Sequence, residues 1–124
     1  MSKLQTVKYN DKLYGKVPTK ALSYTLNTNV ITESGQIEVI RNGNIVIVNI
    51  SAALKNMPNW EIYNLMTLPI KSTGRFIGTL VNQNSNLPIT IQISKNENVV
   101  KALPCKNTFT NEDWYRGQLV FVTD

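Results

Sequence analysis

Histidine is absent from the 124 residues, and cysteine occurs once, as Cys105. The absence of histidine excludes a Ser-His-Asp triad, the single cysteine excludes a disulfide within the chain, and the two counts together exclude the usual zinc ligand sets. Cys105 itself reads as a small apolar space-filler. The longest clean apolar runs, Ile45 to Val48 and Leu119 to Val122, fall far short of the roughly 18 residues of a membrane-crossing helix. Glycine, at six residues, never gathers into a phosphate-cradling loop. Aspartate occurs three times, against sixteen asparagines and twelve threonines. Much of the surface is therefore uncharged amide and hydroxyl. Such a surface suits sugar recognition, and the same usage is what an A/T-rich genome encodes.

With 42% hydrophobic and 17% charged residues in 14.0 kDa, the composition is that of one globular domain. The net charge of +5 is uneven. Residues 1–20 hold five lysines, Lys3, Lys8, Lys12, Lys16 and Lys20, against Asp11, a balance of +4. The other 104 residues hold eight basic and seven acidic groups, a balance of +1. Arg41, Arg75 and Arg116 are scattered singly, without the clustered cations and interleaved aromatics of a nucleic-acid surface. The basic arm reads either as a solvated lysine-rich segment or as a docking arm for an acidic protein, with Lys8, Lys12, Lys16 and Lys20 as its candidates. The start Met1 to Thr6 has no apolar h-region. With the single cysteine, it points to synthesis in a reducing cytoplasm.

Strand signals dominate the pattern. Thr6 to Tyr9 and Lys12 to Val17 flank Asn10-Asp11 as a short hairpin, closed by Pro18. Ala21 to Leu26 alternates weakly as a further strand. Gln36 to Arg41 and Asn44 to Ser51 flank Asn42-Gly43, a dipeptide that accepts the positive φ angles of a type I′ turn. Ala52 to Met57 suggests one helical turn stopped by Pro58. Further strands are expected over Trp60 to Met66, Arg75 to Val81, Leu87 to Ser94, Val99 to Leu103 and Trp114 to Thr123. The expected architecture is all-β: an antiparallel sandwich or barrel over residues 21–124, preceded by a hairpin arm over residues 1–20.

Two strands are apolar at every position, where one wet face predicts alternation. Ile45, Val46, Ile47 and Val48, with Leu119, Val120, Phe121 and Val122, read either as a central strand pair or as an interface between copies of the chain.

No catalytic constellation stands out. Without histidine, a general base falls to a carboxylate or lysine, and Glu33, Glu38, Glu61 and Glu97 are the undirected material for the paired carboxylates of a glycosidase. No cofactor or metal site is expected. Two segments join aromatic rings to polar groups: Asn59 to Tyr63, with Trp60 and Tyr63, and Asn111 to Arg116, with Glu112, Asp113, Trp114, Tyr115 and Arg116. A sugar offers an apolar C–H face and a hydroxyl rim, so these are candidate saccharide contacts, although both tryptophans are equally readable as core.

The tail Trp114 to Val122 resembles the closing strand of C-terminal β domains in bacteriophage tail-fibre and baseplate proteins. The hairpin Glu38 to Val48 around Arg41-Asn42-Gly43-Asn44 is similar to one in the same domains, and Thr6 to Leu22 resembles the segment leading into such heads. The resemblance implies a jelly-roll-like head, a homotrimer exposed on a virion, made in the host bacterial cytoplasm and touching cell-surface saccharide. From the charge distribution and the short apolar runs, neither nucleic-acid binding nor membrane insertion is expected. Only about 20 residues precede the expected sandwich, so the chain reads as an excised head or as a small virion component docked through its basic arm. Capsid decoration or a head fibre without a ligand is the alternative, and a wall-polysaccharide hydrolase a lesser one.

Overall fold

The computed structural model describes residues 19–55, 61–104 and 113–124, together with the backbone of Thr6–Tyr9 and Lys12–Gly15. Those last two segments, β1 and β2, form an antiparallel hairpin with Thr6 opposite Gly15 and Tyr9 opposite Lys12. Nine further strands follow: β3 (Thr19–Ala21), β4 (Thr25–Leu26), β5 (Ile31–Asn42), β6 (Ile45–Leu54), β7 (Tyr63–Thr67), β8 (Phe76–Asn82), β9 (Pro88–Ile93), β10 (Val99–Leu103) and β11 (Trp114–Val122). No helix occurs among the described residues. Of the helical turn expected over Ala52 to Met57, Asn56 and Met57 lie outside the described residues and Ala52 to Leu54 are strand: Ala52 and Ala53 lie in β6, held by Tyr115 and Trp114 of β11. Long-range pairing overrides alanine's helix preference here.

The strands do not divide into the two layers expected of a sandwich. They share one antiparallel sheet in the order β3-β5-β6-β11-β8-β9-β10-β7-β4, curled into a half-barrel. The expected single strand over Ala21 to Leu26 explains the curl. Its halves, β3 and β4, sit at opposite edges of the sheet, pairing with β5 and β7 respectively. Ala21 and Thr25 are four residues apart, and an extended chain advances at most about 3.6 Å per residue, so the two edges come within about 14 Å of each other. A sheet rolled this far encloses its own core.

Local devices supply the bend. Thr32 and Gly35 are extra residues in β5, where the register slips between Ile31 and Glu33 and again between Ser34 and Gln36. Such bulges add twist and re-aim the strand. The β5–β6 turn also departs from expectation. Its two loop residues are Gly43 and Asn44, with positive φ (63°) at Gly43 and not at Asn44. That is the pattern of a type II′ turn, which wants glycine first. Asn42 thus faces Ile45, and Val39 faces Val48 in the core.

The core lies on the inner face: Val39 from β5, Val46, Val48 and Ile50 from β6, Leu119 and Phe121 from β11, Leu80 from β8, and Ile89, Ile91 and Ile93 from β9 are all buried. The two fully apolar stretches therefore alternate in space. Val46, Val48, Leu119 and Phe121 point inward and are unavailable to a second copy, which corrects half of the expected interface. Ile45 (48% exposed) and Val120 (42%) face out, with Ile47 and Val122 half-buried beside them. Registry aligns Ala21, Ile40, Ile47 and Val120 as one apolar row across β3, β5, β6 and β11. Ile77 on β8, 57% exposed, is also on the outer face.

Candidate functional site

On the sheet face away from the core, a cleft of about 760 Å³ crosses β5, β6 and β11. Strand alternation puts Gln36 and Glu38, Asn49 and Ser51, and Arg116 on that face, because their sequence neighbours Ile37, Ile50 and Tyr115 turn toward the core. The β5 bulge adds Ser34 and Gly35 to the wall. Tyr24, in the short link between β3 and β4, forms the other side, its hydroxyl donating to the Ile37 carbonyl at 3.1 Å.

Two cross-strand rows organise the polar groups. Glu38, Asn49 and Gln118 stand side by side in registry. Gln118 Nε2 donates to Asn49 Oδ1 at 2.8 Å, and Asn49 Nδ2 to Glu38 Oε1 at 3.4 Å, so the relay ends on the carboxylate. In the next row, Gln36 faces Ser51 and Ser51 faces Arg116. The Gln83 side-chain oxygen accepts from Arg116 Nε at 3.1 Å and from one terminal nitrogen at 2.9 Å, holding two of the guanidinium's five N–H groups.

The expected saccharide residues separate. Trp60 and Glu112 lie outside the described residues. Arg116 enters the cleft, and Trp114 lies at its Gly35 end: a Cβ on Gly35 would stand 2.7 Å from the indole Cζ3. Glycine is what lets the ring lie against β5. Tyr115 points the opposite way, fully buried, and is core rather than contact surface. Asp113 is structural as well, accepting from Asn82 Nδ2 at 2.9 Å and Asn84 Nδ2 at 3.2 Å. Buried Asn82 in turn accepts the backbone N–H groups of Asn84 and Ser85. Tyr63 is on β7, four strands along from β11, and donates to Glu61 at 2.6 Å. Desolvation, then the bond to Glu61 and its charge, push that phenol up to about 12.

Sequence reasoning missed Tyr24, Gln36, Asn49 and Ser51. Only the exposed parity of each strand, known once the register is known, marks them. Of the four glutamates named as possible hydrolytic acids, Glu38 alone lines the cleft, while Glu97 is paired with Lys101 Nζ at 3.1 Å and Glu61 with Tyr63. Among the described residues no group of three potential ligands could hold a metal ion. Of the arm's lysines, Lys8 and Lys12 are strand positions of the hairpin and Lys16 lies outside the described residues, while Lys20 is exposed on β3 opposite Arg41.

Tyr115 has a measurable alkaline signature. Burial raises its phenol above the ordinary 10.0, the Asn82 hydrogen bond opposes this, and the charge of Asp113 adds to it. Above pH 10.0 the unfolded chain releases a proton that the native state keeps, so stability falls as pH rises toward the folded value. Urea midpoints should decline from about pH 10 upward, and Tyr115→Phe should decline less steeply.

Comparison with models of known protein families and with curated protein sequences finds no match to this chain.

Proposed function

We propose that the chain is a bacteriophage virion structural protein, a fibre or baseplate head that contacts host cell-surface saccharide, made in the bacterial cytoplasm and carried on the virion. In this reading the rolled sheet takes the part of the jelly-roll-like head, and residues 1–20 dock to other virion proteins. The observation that carries it is the cleft, where amides, two serine hydroxyls, one carboxylate and one guanidinium line an open surface bounded by Tyr24. Hydroxyl-rich ligands are bound by such mixtures, the planar groups satisfying the hydroxyl rim and the rings covering C–H faces. A single shallow site of millimolar affinity contributes only about 4 kcal/mol. A trimer, repeated on one particle, raises avidity by about 10²–10⁴-fold without new contacts.

The test is binding of purified protein to an array of bacterial surface saccharides. Arg116→Ala should lose about tenfold or more in affinity, the worth of a charge-assisted hydrogen bond, with an unchanged circular dichroism spectrum. Failure of the native protein to bind any saccharide would remove the adhesive role. A second reading, an assembly or capsid-decoration protein without a ligand, is favoured by the apolar row of Ile40, Ile47 and Val120 on the outer face. Light scattering on the same samples separates the two. A mass near three times 14.0 kDa with saccharide binding supports the head, and the same mass without binding supports assembly alone.

A further inference from the structure

Among the described residues, two opposite charges in the cleft have no ionic partner. Among the described residues the ion pair formed is Lys101–Glu97, and neither Glu38 nor Arg116 has one. They lie on β5 and β11, with β6 between, and two residues apart along the strand direction. Strand spacing and rise put their backbones about 12 Å apart on the diagonal. Each is held ready: Glu38 by the Gln118–Asn49 relay, Arg116 by Gln83. The strand between them, β6, carries Asn49 and Ser51, and Gln36 lines the cleft next to Glu38 on β5. A neutral sugar would leave both charges unmatched, and a purely anionic one would meet the carboxylate unfavourably.

We propose that the cleft selects a zwitterionic saccharide, one that carries an amine for Glu38 and a carboxylate or phosphate for Arg116 on neighbouring sugar units. This rests on the saccharide reading above and narrows it. The diagonal spacing fits two linked rings, whose hydroxyls meet Asn49 and Ser51 between the charged ends. Selectivity comes from matching both charges at once, since either alone sits at an exposed surface where an ion pair is weak.

Three tetrasaccharides of related length test it by calorimetry at about pH 6, where a sugar amine is charged. They are N-deacetylated hyaluronan (amine and uronate), hyaluronan (uronate only) and tetra-N-acetylchitotetraose (neutral). The deacetylated form should bind about five-fold more tightly than hyaluronan. Glu38→Gln should erase that preference, while Arg116→Gln should erase the preference of hyaluronan over the neutral tetrasaccharide and leave the deacetylated form only its amine pair with Glu38. Equal binding of all three overturns the zwitterion inference and leaves the saccharide reading standing. Binding of none of the three, alongside binding elsewhere on the saccharide array, also overturns the inference alone, and binding of nothing on either overturns both. A lysine- and aspartate-containing tetrapeptide that binds as well as the deacetylated sugar would assign the cleft to peptides instead.

Discussion

Gly117→Ala should prevent the chain from reaching its native fold. A Cβ at that position would stand 1.9 Å from the Thr79 carbonyl oxygen and 2.8 Å from the Leu80 Cα, both backbone atoms of β8. Backbone within a central strand cannot swing away as a flexible side chain does. The cost exceeds the roughly 1–3 kcal/mol of ordinary overpacking, in a domain whose total stability is on the order of 5–15 kcal/mol. Gly78 makes the same demand from the other strand, with an added Cβ 2.3 Å from the Gln118 carbonyl oxygen. Both glycines are on the inner face of the β8–β11 pair, where the sheet bends over its core, and glycine marks such corners. Gly74→Ala is the control. Its added methyl would meet only the Phe76 ring, at 3.4 Å, and its urea midpoint should stay near that of the native protein. Soluble yield and urea midpoints of the three variants check the expectation, and a native-like Gly117→Ala protein would refute it. Because Arg116 is the preceding residue, a loss of saccharide binding in Gly117→Ala would report the fold and not the cleft.

Phe121→Ala should destabilise the domain by about 3–5 kcal/mol, whereas Val120→Ser, one residue earlier, should change stability by no more than about 0.5 kcal/mol. Phe121 is fully buried, opposite Val46, and its removal leaves a cavity that the rigid sheet cannot close. Val120 faces outward, opposite Ile47. Urea unfolding of both variants measures the difference. Equal, large losses would mean that Val120 is covered as Phe121 is, the result expected if copies of the chain pack through the outer row. The pair of variants therefore reads out both the alternation of β11 and the oligomer.

The comparison of Val120 with Phe121 also shows where sequence reasoning stops. Eight consecutive-type apolar positions in β6 and β11 carry no alternation of hydrophobicity, so periodicity cannot say which four face the core. The hairpin around Asn42-Gly43 was legible, but its turn was not. Asn-Gly chemistry suits a type I′ turn, whereas the chain places Gly43 and Asn44 in the loop. The turn slips by one residue, which moves the pairing by two and keeps the same faces inward, so Val39 meets Val48 in place of Val46. Ala52 and Ala53 look helical locally and become strand because β11 offers them a ladder. At the site, Arg116 and Trp114 were legible as polar and aromatic groups in one segment. Tyr115, their neighbour, reads the same way in sequence and turns to the core.

By itself the sequence determined the all-β class, most of the strand positions, the N-terminal hairpin and the exclusion of histidine chemistry. Those properties follow from local backbone preferences and from which side chains are present at all. The tertiary structure alone decided that the strands form one rolled sheet, that β3 and β4 part to its two edges, and that Glu38, Asn49 and Arg116 share a cleft. Hydrophobic burial carries no direction, whereas strand register does. Residues as far apart as Asn49 and Gln118, 69 positions along the chain, meet only because β11 returns to lie between β6 and β8.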